Sequence, residues 1–320
     1  MNLIDKIFQT EILKNNPPVL VDVGASGNIH KSWAKFAKYA ICLAFDADDR
    51  QFGYISDESK GFKKLYIFNS ILSGSDSEST DFYLTQSPYC SSTLLPDSEA
   101  LEEWAFAEKF KVKEKISLKN VSLNRVLDDL KLSKIDWLKT DSQGIDLSIF
   151  KSLPEKTQKQ TLVVELEPGL MDSYKGEDKL HEVFAYFERL PFWLGAMTVK
   201  GSQRLQSRLV ERLNLPQKMR NFVYYSHKSA PGWAELKYFN DFSDPAGELT
   251  KREYLLGWVF AVLDGQFGYS MVIALKGEKL FNDAIFKEMF RYSQQRLKRE
   301  VFKLKFLPAV KEKFLKLFSQ

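Results

Sequence analysis

Val19-Leu20-Val21-Asp22-Val23-Gly24-Ala25-Ser26-Gly27 is a short apolar run that meets an Asp and then a loop carrying two glycines. A run of this length between turn signals reads as a buried strand. Gly24 and Gly27 let the backbone leave that strand sharply and come close to a ligand. The next apolar run, Ala40-Ile41-Cys42-Leu43-Ala44-Phe45, is closed by Asp46 and Asp48. A carboxylate about twenty residues beyond such a loop is placed to accept hydrogen bonds from both hydroxyls of a ribose. The two runs together predict an α/β sheet that holds an adenosine at the carboxyl ends of its strands.

Two adenosine cofactors compete for such a site. A nicotinamide dinucleotide needs a phosphate cradle of three glycines, G-x-G-x-x-G, ahead of a helix N-terminus. Ile29 occupies the third glycine position here, so the cradle is incomplete. S-adenosylmethionine has no phosphate and instead carries a sulfonium, an ammonium and a carboxylate. Asp22, just before the glycine loop, suits that positive charge. The reading therefore favours S-adenosylmethionine, with Asp22, Gly24, Ala25, Gly27 and Asp46 as candidate contacts. A dinucleotide-dependent oxidoreductase is the competing enzyme reading.

Further along, Ile135-Asp136-Trp137-Leu138-Lys139-Thr140-Asp141-Ser142-Gln143-Gly144-Ile145-Asp146 reads as a buried strand ending in Asp-x-x-Gly before a helix. This resembles the I-D-x-x-K-x-D-x-[EQ]-G signature of FkbM-like methyltransferases. Phe45-Asp46-Ala47-Asp48 stands where the family has Phe-Glu-Pro. Asn69-Ser70-Ile71-Leu72-Ser73, Asp81-Phe82-Tyr83-Leu84 and Cys90-Ser91-Ser92-Thr93-Leu94-Leu95-Pro96 look like its third strand, hairpin and Ser-Ser-Leu loop. Thr161-Leu162-Val163-Val164-Glu165-Leu166-Glu167 and Tyr174-Lys175-Gly176-Glu177 are similar to its next strand and Tyr-x-Gly-Gln segment. The resemblance spans about residues 17–227. It implies a Rossmann-like seven-stranded class I methyltransferase sheet, S-adenosylmethionine as cofactor, and O-methylation of a small hydroxylated acceptor such as a saccharide or a polyketide-like product. It also adds Asn69 and Ser70 to the candidate cofactor contacts. Asp46 in place of Glu keeps the carboxylate with a shorter reach, Ala47 in place of Pro relaxes the turn, and Gln143 removes one negative charge beside the cleft.

Asp141 ends its strand at the same sheet edge as Asp22 and Asp46, so it points at the same crevice. Its expected role is to orient or deprotonate the acceptor; its structural alternative is a helix N-cap. Lys139, two residues earlier, shares its face and can pair with Asp141 or with a substrate carboxylate. Ser91 and Ser92 are candidates to hydrogen-bond the substrate, or else cap a helix. Glu165 alternates with Glu167 on one face and is a further substrate candidate. His30, after the glycine loop, is the nearest imidazole base, although a lone histidine at a helix start has a structural reading too.

Strands alternating with helices predict a mostly parallel sheet, with strands at 19–23, 40–46, 64–72, 135–140 and 161–167 and a last strand at 221–225. Residues 98–112 read as an acidic, then aromatic helix over the cleft. The domain reading is a cofactor-binding domain over residues 1–228 and an all-helical C-terminal appendage over 229–320, where Pro231, Pro245 and several glycines precede a helical pattern from Thr250. A methyltransferase fold reused as a non-catalytic scaffold for that appendage is the non-enzyme alternative.

The 320 residues are 44% hydrophobic, ample for a core. Two cysteines and three histidines without ligand spacing argue against a disulfide framework and against a metal site. The N-terminus lacks the apolar core of a signal peptide, and no stretch approaches the roughly 18 apolar residues of a membrane span. The expected location is cytoplasmic. Net charge is +4, yet residues 287–320 hold ten Lys/Arg against three Glu, so the remainder is mildly acidic. With Phe302, Phe306, Val310, Phe314 and Leu317 at roughly helical spacing, this basic tail reads as peripheral membrane contact, a packed helix, or a surface for a partner such as a second copy. Nucleic acid is not expected, because aromatics are not interleaved as stacking platforms.

Overall fold

The computed structural model describes residues 2–25, 30–48, 61–74, 77–223, 229–243 and 247–317. Contacts divide the chain into Pro17–Ser243 and a second unit of Met1–Asn16 with Asp244–Gln320.

In the chain, α1 (Leu3–Phe8) and α2 (Glu11–Asn15) come first, followed by β1 (Val19–Val23), β2 (Ile41–Phe45), β3 (Lys64–Phe68), β4 (Ile71–Ser73) and β5 (Ser79–Thr85). Next come α3 (Ser98–Leu101), β6 (Val112–Ser122), α4 (Leu123–Asp129), β7 (Trp137–Thr140), α5 (Asp146–Lys151), α6 (Glu155–Gln160) and β8 (Val163–Leu166). Then follow α7 (Leu180–Phe187), β9 (Phe192–Ser202), α8 (Ser207–Glu211), α9 (Gln217–Val223) and β10 (Ala230–Asn240). The chain ends with α10 (Lys251–Leu263), α11 (Phe267–Phe281) and α12 (Ala284–Leu317).

Seven strands form one sheet in the order β3-β2-β1-β7-β8-β10-β9, and β4-β6-β5 form a small second sheet. Five successive strands, β3 to β8 in that order, run parallel through four pairings; β10 runs antiparallel to both β8 and β9. This is the expected α/β sheet with its central strands buried on both faces, which explains their near-continuous apolar runs. On one face Val21, Val23, Phe45, Leu138, Val164 and Leu236 pack under Leu123 and Val126 of α4, Phe150 of α5 and Phe187 of α7. On the other face the alternation brings charges into register: Asp22 faces Lys139, Lys139 faces Glu165, and Glu165 faces Lys237. A sheet with one oily face and one charged row across its middle places ionisable groups beneath its carboxyl edge.

Three expectations change. The boundary at 228/229 is corrected, because Ala230–Asn240 is a sheet strand paired along its length with β9. Pro231, which reads as an interruption, sits at a register shift between Pro231 and Trp233, where a strand tolerates a missing donor. The last strand expected at 221–225 is instead the end of helix α9, with Tyr224 and Tyr225 outside the described residues. Of the helix expected over 98–112, only Ser98–Leu101 and a 3-10 turn at Ala107–Phe110 are helical, and Val112 begins the eleven-residue strand β6.

The second unit is helical. Thr250 caps α10: its hydroxyl accepts from Arg252 N at 3.3 Å, and Glu253 Oε2 accepts from Thr250 N at 2.9 Å. Buried Arg252 pairs with Glu253 at 3.0 Å and donates to the Asn16 carbonyl at 3.0 Å, so neither charge is left alone. Trp258 donates to Ser293 Oγ at 2.9 Å. Gly277 of α11 lies so close to Phe286 of α12 that any Cβ would meet the ring. Gly277→Ala should therefore cost about 1–3 kcal/mol by overpacking despite the higher helix propensity of alanine. A chemical-denaturation midpoint equal to or above the parent's would refute that contact. Among the described residues no helix is long and apolar enough to cross a membrane.

Candidate functional site

A cavity of about 560 Å³ opens at the carboxyl edge of the sheet. Gly24 after β1, Asp46 after β2 and Ser70 before β4 line one end; Asp141 after β7 stands in the middle; Glu167 after β8 and Glu235 of β10 line the other end. Antiparallel β10 brings its first residues to this edge, which is how Trp233 and Glu235 reach the cavity.

Gly24 and Ala25 both donate to the Phe45 carbonyl, at 2.9 and 3.1 Å, and Asp141 N donates to the Val23 carbonyl at 3.0 Å. The three strand ends are thereby tied together. Gly24 has φ +74°, and a Cβ there would collide with the Asp141 carbonyl oxygen. Only glycine meets both conditions.

The loop after β7 is held by side chains spread along the sequence. Asp146, 1% exposed, accepts from Ser142 N at 2.8 Å, from the Ser142 hydroxyl, and from Glu167 N at 2.6 Å. Ser92 Oγ donates to the Gln143 carbonyl at 2.7 Å and accepts from Leu94 N at 3.0 Å. Gln143, at φ +59°, donates from Nε2 to Asp141 Oδ1 at 2.5 Å, and its Oε1 lies 3.0 Å from the Tyr174 hydroxyl. Non-glycine residues at positive φ are kept where such contacts over-determine them. The neutral amide of Gln143 thus links Tyr174 to Asp141.

Electrostatics follow from burial. Lys139 lies 2.9 Å from Asp22; burial opposes its charge, yet Asp22 and Asp141 hold the ammonium well above its ordinary value. Burial raises the Asp141 carboxyl, and Asp146 adds to that, while Lys139 and the Gln143 amide pull the other way. Burial likewise pushes Asp46 up to about 6, against the hydrogen bond it accepts from Asp48 N. Burial lifts the Cys90 thiol to about 11, so it is no nucleophile at neutral pH.

Gly24, Asp46, Ser70, Ser91, Lys139 and Asp141 all line the cavity, so the structure brings these candidates together. Asp22 is buried below it against Lys139, and Ala25 is buried in the turn. Asn69 is exposed, Ser92 serves the loop, and Gly27 lies outside the described residues. His30 and Glu165 do not line the cavity, which corrects their expected roles. Glu165 accepts from Trp137 Nε1 at 2.7 Å and lies 3.8 Å from His30 Nε2 and 3.7 Å from Lys237 Nζ. It shares a face with Glu167 but sits one strand repeat below the edge. Residues missing from the sequence reading of the site are Asp146, Glu167, Tyr174, Trp233 and Glu235.

No curated protein and no solved structure matches the chain. A family model described as the methyltransferase FkbM domain matches residues 30–192, just over half of the chain. That match runs from His30 through β2, β7, the Asp141 loop and β8 to the start of β9, and with it the chain belongs to the FkbM methyltransferase family.

Proposed function

We propose that the protein transfers a methyl group from S-adenosylmethionine to a hydroxyl of a small molecule or saccharide. The observation that carries this reading is that Gly24, Asp46 and Asp141 line one cavity. The donor set fits the cofactor: among the described lining residues the cations are Lys109 and Lys139, there is no arginine, and Asp46, Asp48 and Asp141 supply carboxylates. A pyrophosphate would meet repulsion there, whereas a sulfonium would not. When bound, S-adenosylmethionine supplies a methyl group activated on positively charged sulfur.

The chain's residues do the rest. Asp46 accepts from the ribose hydroxyls, and Gly24 lets the backbone approach. Gln143 occupies Oδ1 of Asp141 and leaves Oδ2 for the acceptor hydroxyl, whose proton it takes as transfer proceeds. Lys139 keeps a positive charge beside Asp141 so that its ionised form persists in a buried place. Positioning the acceptor in line with the methyl group contributes most of the acceleration.

Calorimetry with S-adenosylhomocysteine and with NAD is the test. The first should bind and the second should not; binding of neither at millimolar concentration would move the scaffold reading forward. The pH dependence has a definite sign. Ribose hydroxyls donate to ionised Asp46, so protonation competes with binding. Affinity should be flat above the Asp46 value of about 6 and weaken below it, by up to about tenfold per pH unit. Asp46→Asn should flatten that profile, and an Asn variant that retains it would place the titrating group elsewhere.

A further inference from the structure

Glu167 is left over by that reading. It ends β8, on the far side of β7 from Gly24 and Asp46, and its side chain lines the cavity. Among the described residues no hydrogen-bond donor reaches its carboxyl group, although its backbone N–H is bound to Asp146. The other acids nearby have partners: Glu177 lies 2.6 Å from Lys179, Glu235 lies 3.4 Å from Lys200, and Asp141 holds the Gln143 amide. The charges that face Glu167 are Lys139 from β7, Asp141 just after it, Asp146 from α5 and Glu235 from β10. That is three carboxylates to one ammonium, and the ammonium is already bound to Asp22.

The same half of the cavity is walled by aromatic rings. Phe106 lies 5.5 Å from Phe110 and 6.4 Å from Trp233, and Phe110 lies 5.5 Å from Tyr174, centroid to centroid; all four line the cavity. Aromatic faces beside a carboxylate that lacks a cation are the surroundings in which an ammonium group binds. We propose that this half of the cavity is a subsite for a protonated amine carried by the methyl acceptor, with Glu167 as its counter-ion and the aromatic wall against its carbon skeleton. The proposal rests on the reading of the cavity as the methyl-transfer site and narrows its acceptor to an amino alcohol or amino sugar.

A proton signature follows. Burial, and then Asp141, Asp146 and Glu235, hold the Glu167 carboxyl up at about 9, so in the free protein at pH 7 it carries a proton. An arriving ammonium favours the ionised form. The O–H bond of the Glu167 carboxyl breaks, the carboxylate pairs with the amine, and one proton passes to the buffer. An uncharged acceptor releases none.

The experiment loads the full chain with S-adenosylhomocysteine and titrates matched probes by calorimetry at pH 7, in two buffers of different ionisation heat. The pairs are ethanolamine with ethylene glycol, putrescine with 1,4-butanediol, and D-glucosamine with D-glucose. At least one amine should bind about tenfold or more tightly than its neutral partner and release close to one proton. Glu167→Gln should erase both the preference and the proton release while leaving S-adenosylhomocysteine affinity unchanged. Equal binding of amines and alcohols, binding of neither, or a preference that survives Glu167→Gln would overturn the proposal. The probe comparison on the parent protein decides even if the variant fails to fold. Absence of S-adenosylhomocysteine binding would instead count against the cofactor reading, with the amine comparison on the unloaded chain still interpretable.

Discussion

Gly24→Ala is expected to abolish S-adenosylhomocysteine binding and to destabilise the sheet unit by about 3 kcal/mol or more. Holding alanine at φ +74° costs about 1–2 kcal/mol by itself. The larger part comes from the new Cβ meeting the Asp141 carbonyl oxygen. That oxygen is backbone, and Asp141 N is tied to the Val23 carbonyl at 3.0 Å while Gly24 N is tied to Phe45 at 2.9 Å. Relief therefore requires opening the junction of β1, β2 and β7, which is also the middle of the cavity. Gly61→Ala is the control: Gly61 has φ +79°, but nothing lies within 4 Å of a Cβ there, so only the backbone cost of about 1–2 kcal/mol should appear. Urea denaturation of the two variants measures the difference. Equal midpoints for both would show that the collision is absorbed and that Gly24 matters only for its backbone angle.

The strands that build the site were legible because they are buried on both faces and are followed by Gly, Asp or Glu. β1, β2, β7 and β8 each read as a short apolar run, and the carboxylates after β2, β7 and β8 marked the edge where the cavity opens. β6 and β10 were not legible, for different reasons. Val112–Ser122 is mostly exposed and carries Lys113, Lys115 and Lys119, so its hydrophobic signal is diluted. In β10 the alternation is strong, but Pro231 and Gly232 at its start look like a linker until the bulge beside them is seen. Asn221–Val223 has strand-like composition and is helical, an instance of context overriding propensity. Within the site, sequence gives the face of a residue but not its depth. Glu165 and Glu167 share a face, and only the second reaches the cavity. The missing negative charge at Gln143 was visible, whereas what replaces it was not. The amide acts through Tyr174, which is 31 residues away in the chain.

For Asp141→Asn, turnover should fall about a hundredfold or more, while S-adenosylhomocysteine affinity stays within about threefold of the parent. Asparagine nearly preserves the shape of the side chain, and its amide oxygen can still accept from Gln143 Nε2, so the loop between Ser92, Asp146 and Tyr174 should stand. What it loses is the capacity to take the acceptor's proton and the charge that Lys139 faces. The parent's rate should rise with pH through an apparent value above the ordinary Asp range, because burial raises Asp141 and only its ionised form is a base. The variant's residual rate should lack that limb. Release of homocysteine from S-adenosylhomocysteine, coupled to a screen of hydroxylated amines and sugars, supplies the readout. Equal rates for variant and parent would mean that Asp141 only shapes the loop. A slow variant that keeps the parent's pH profile would assign the proton to another group in the cavity.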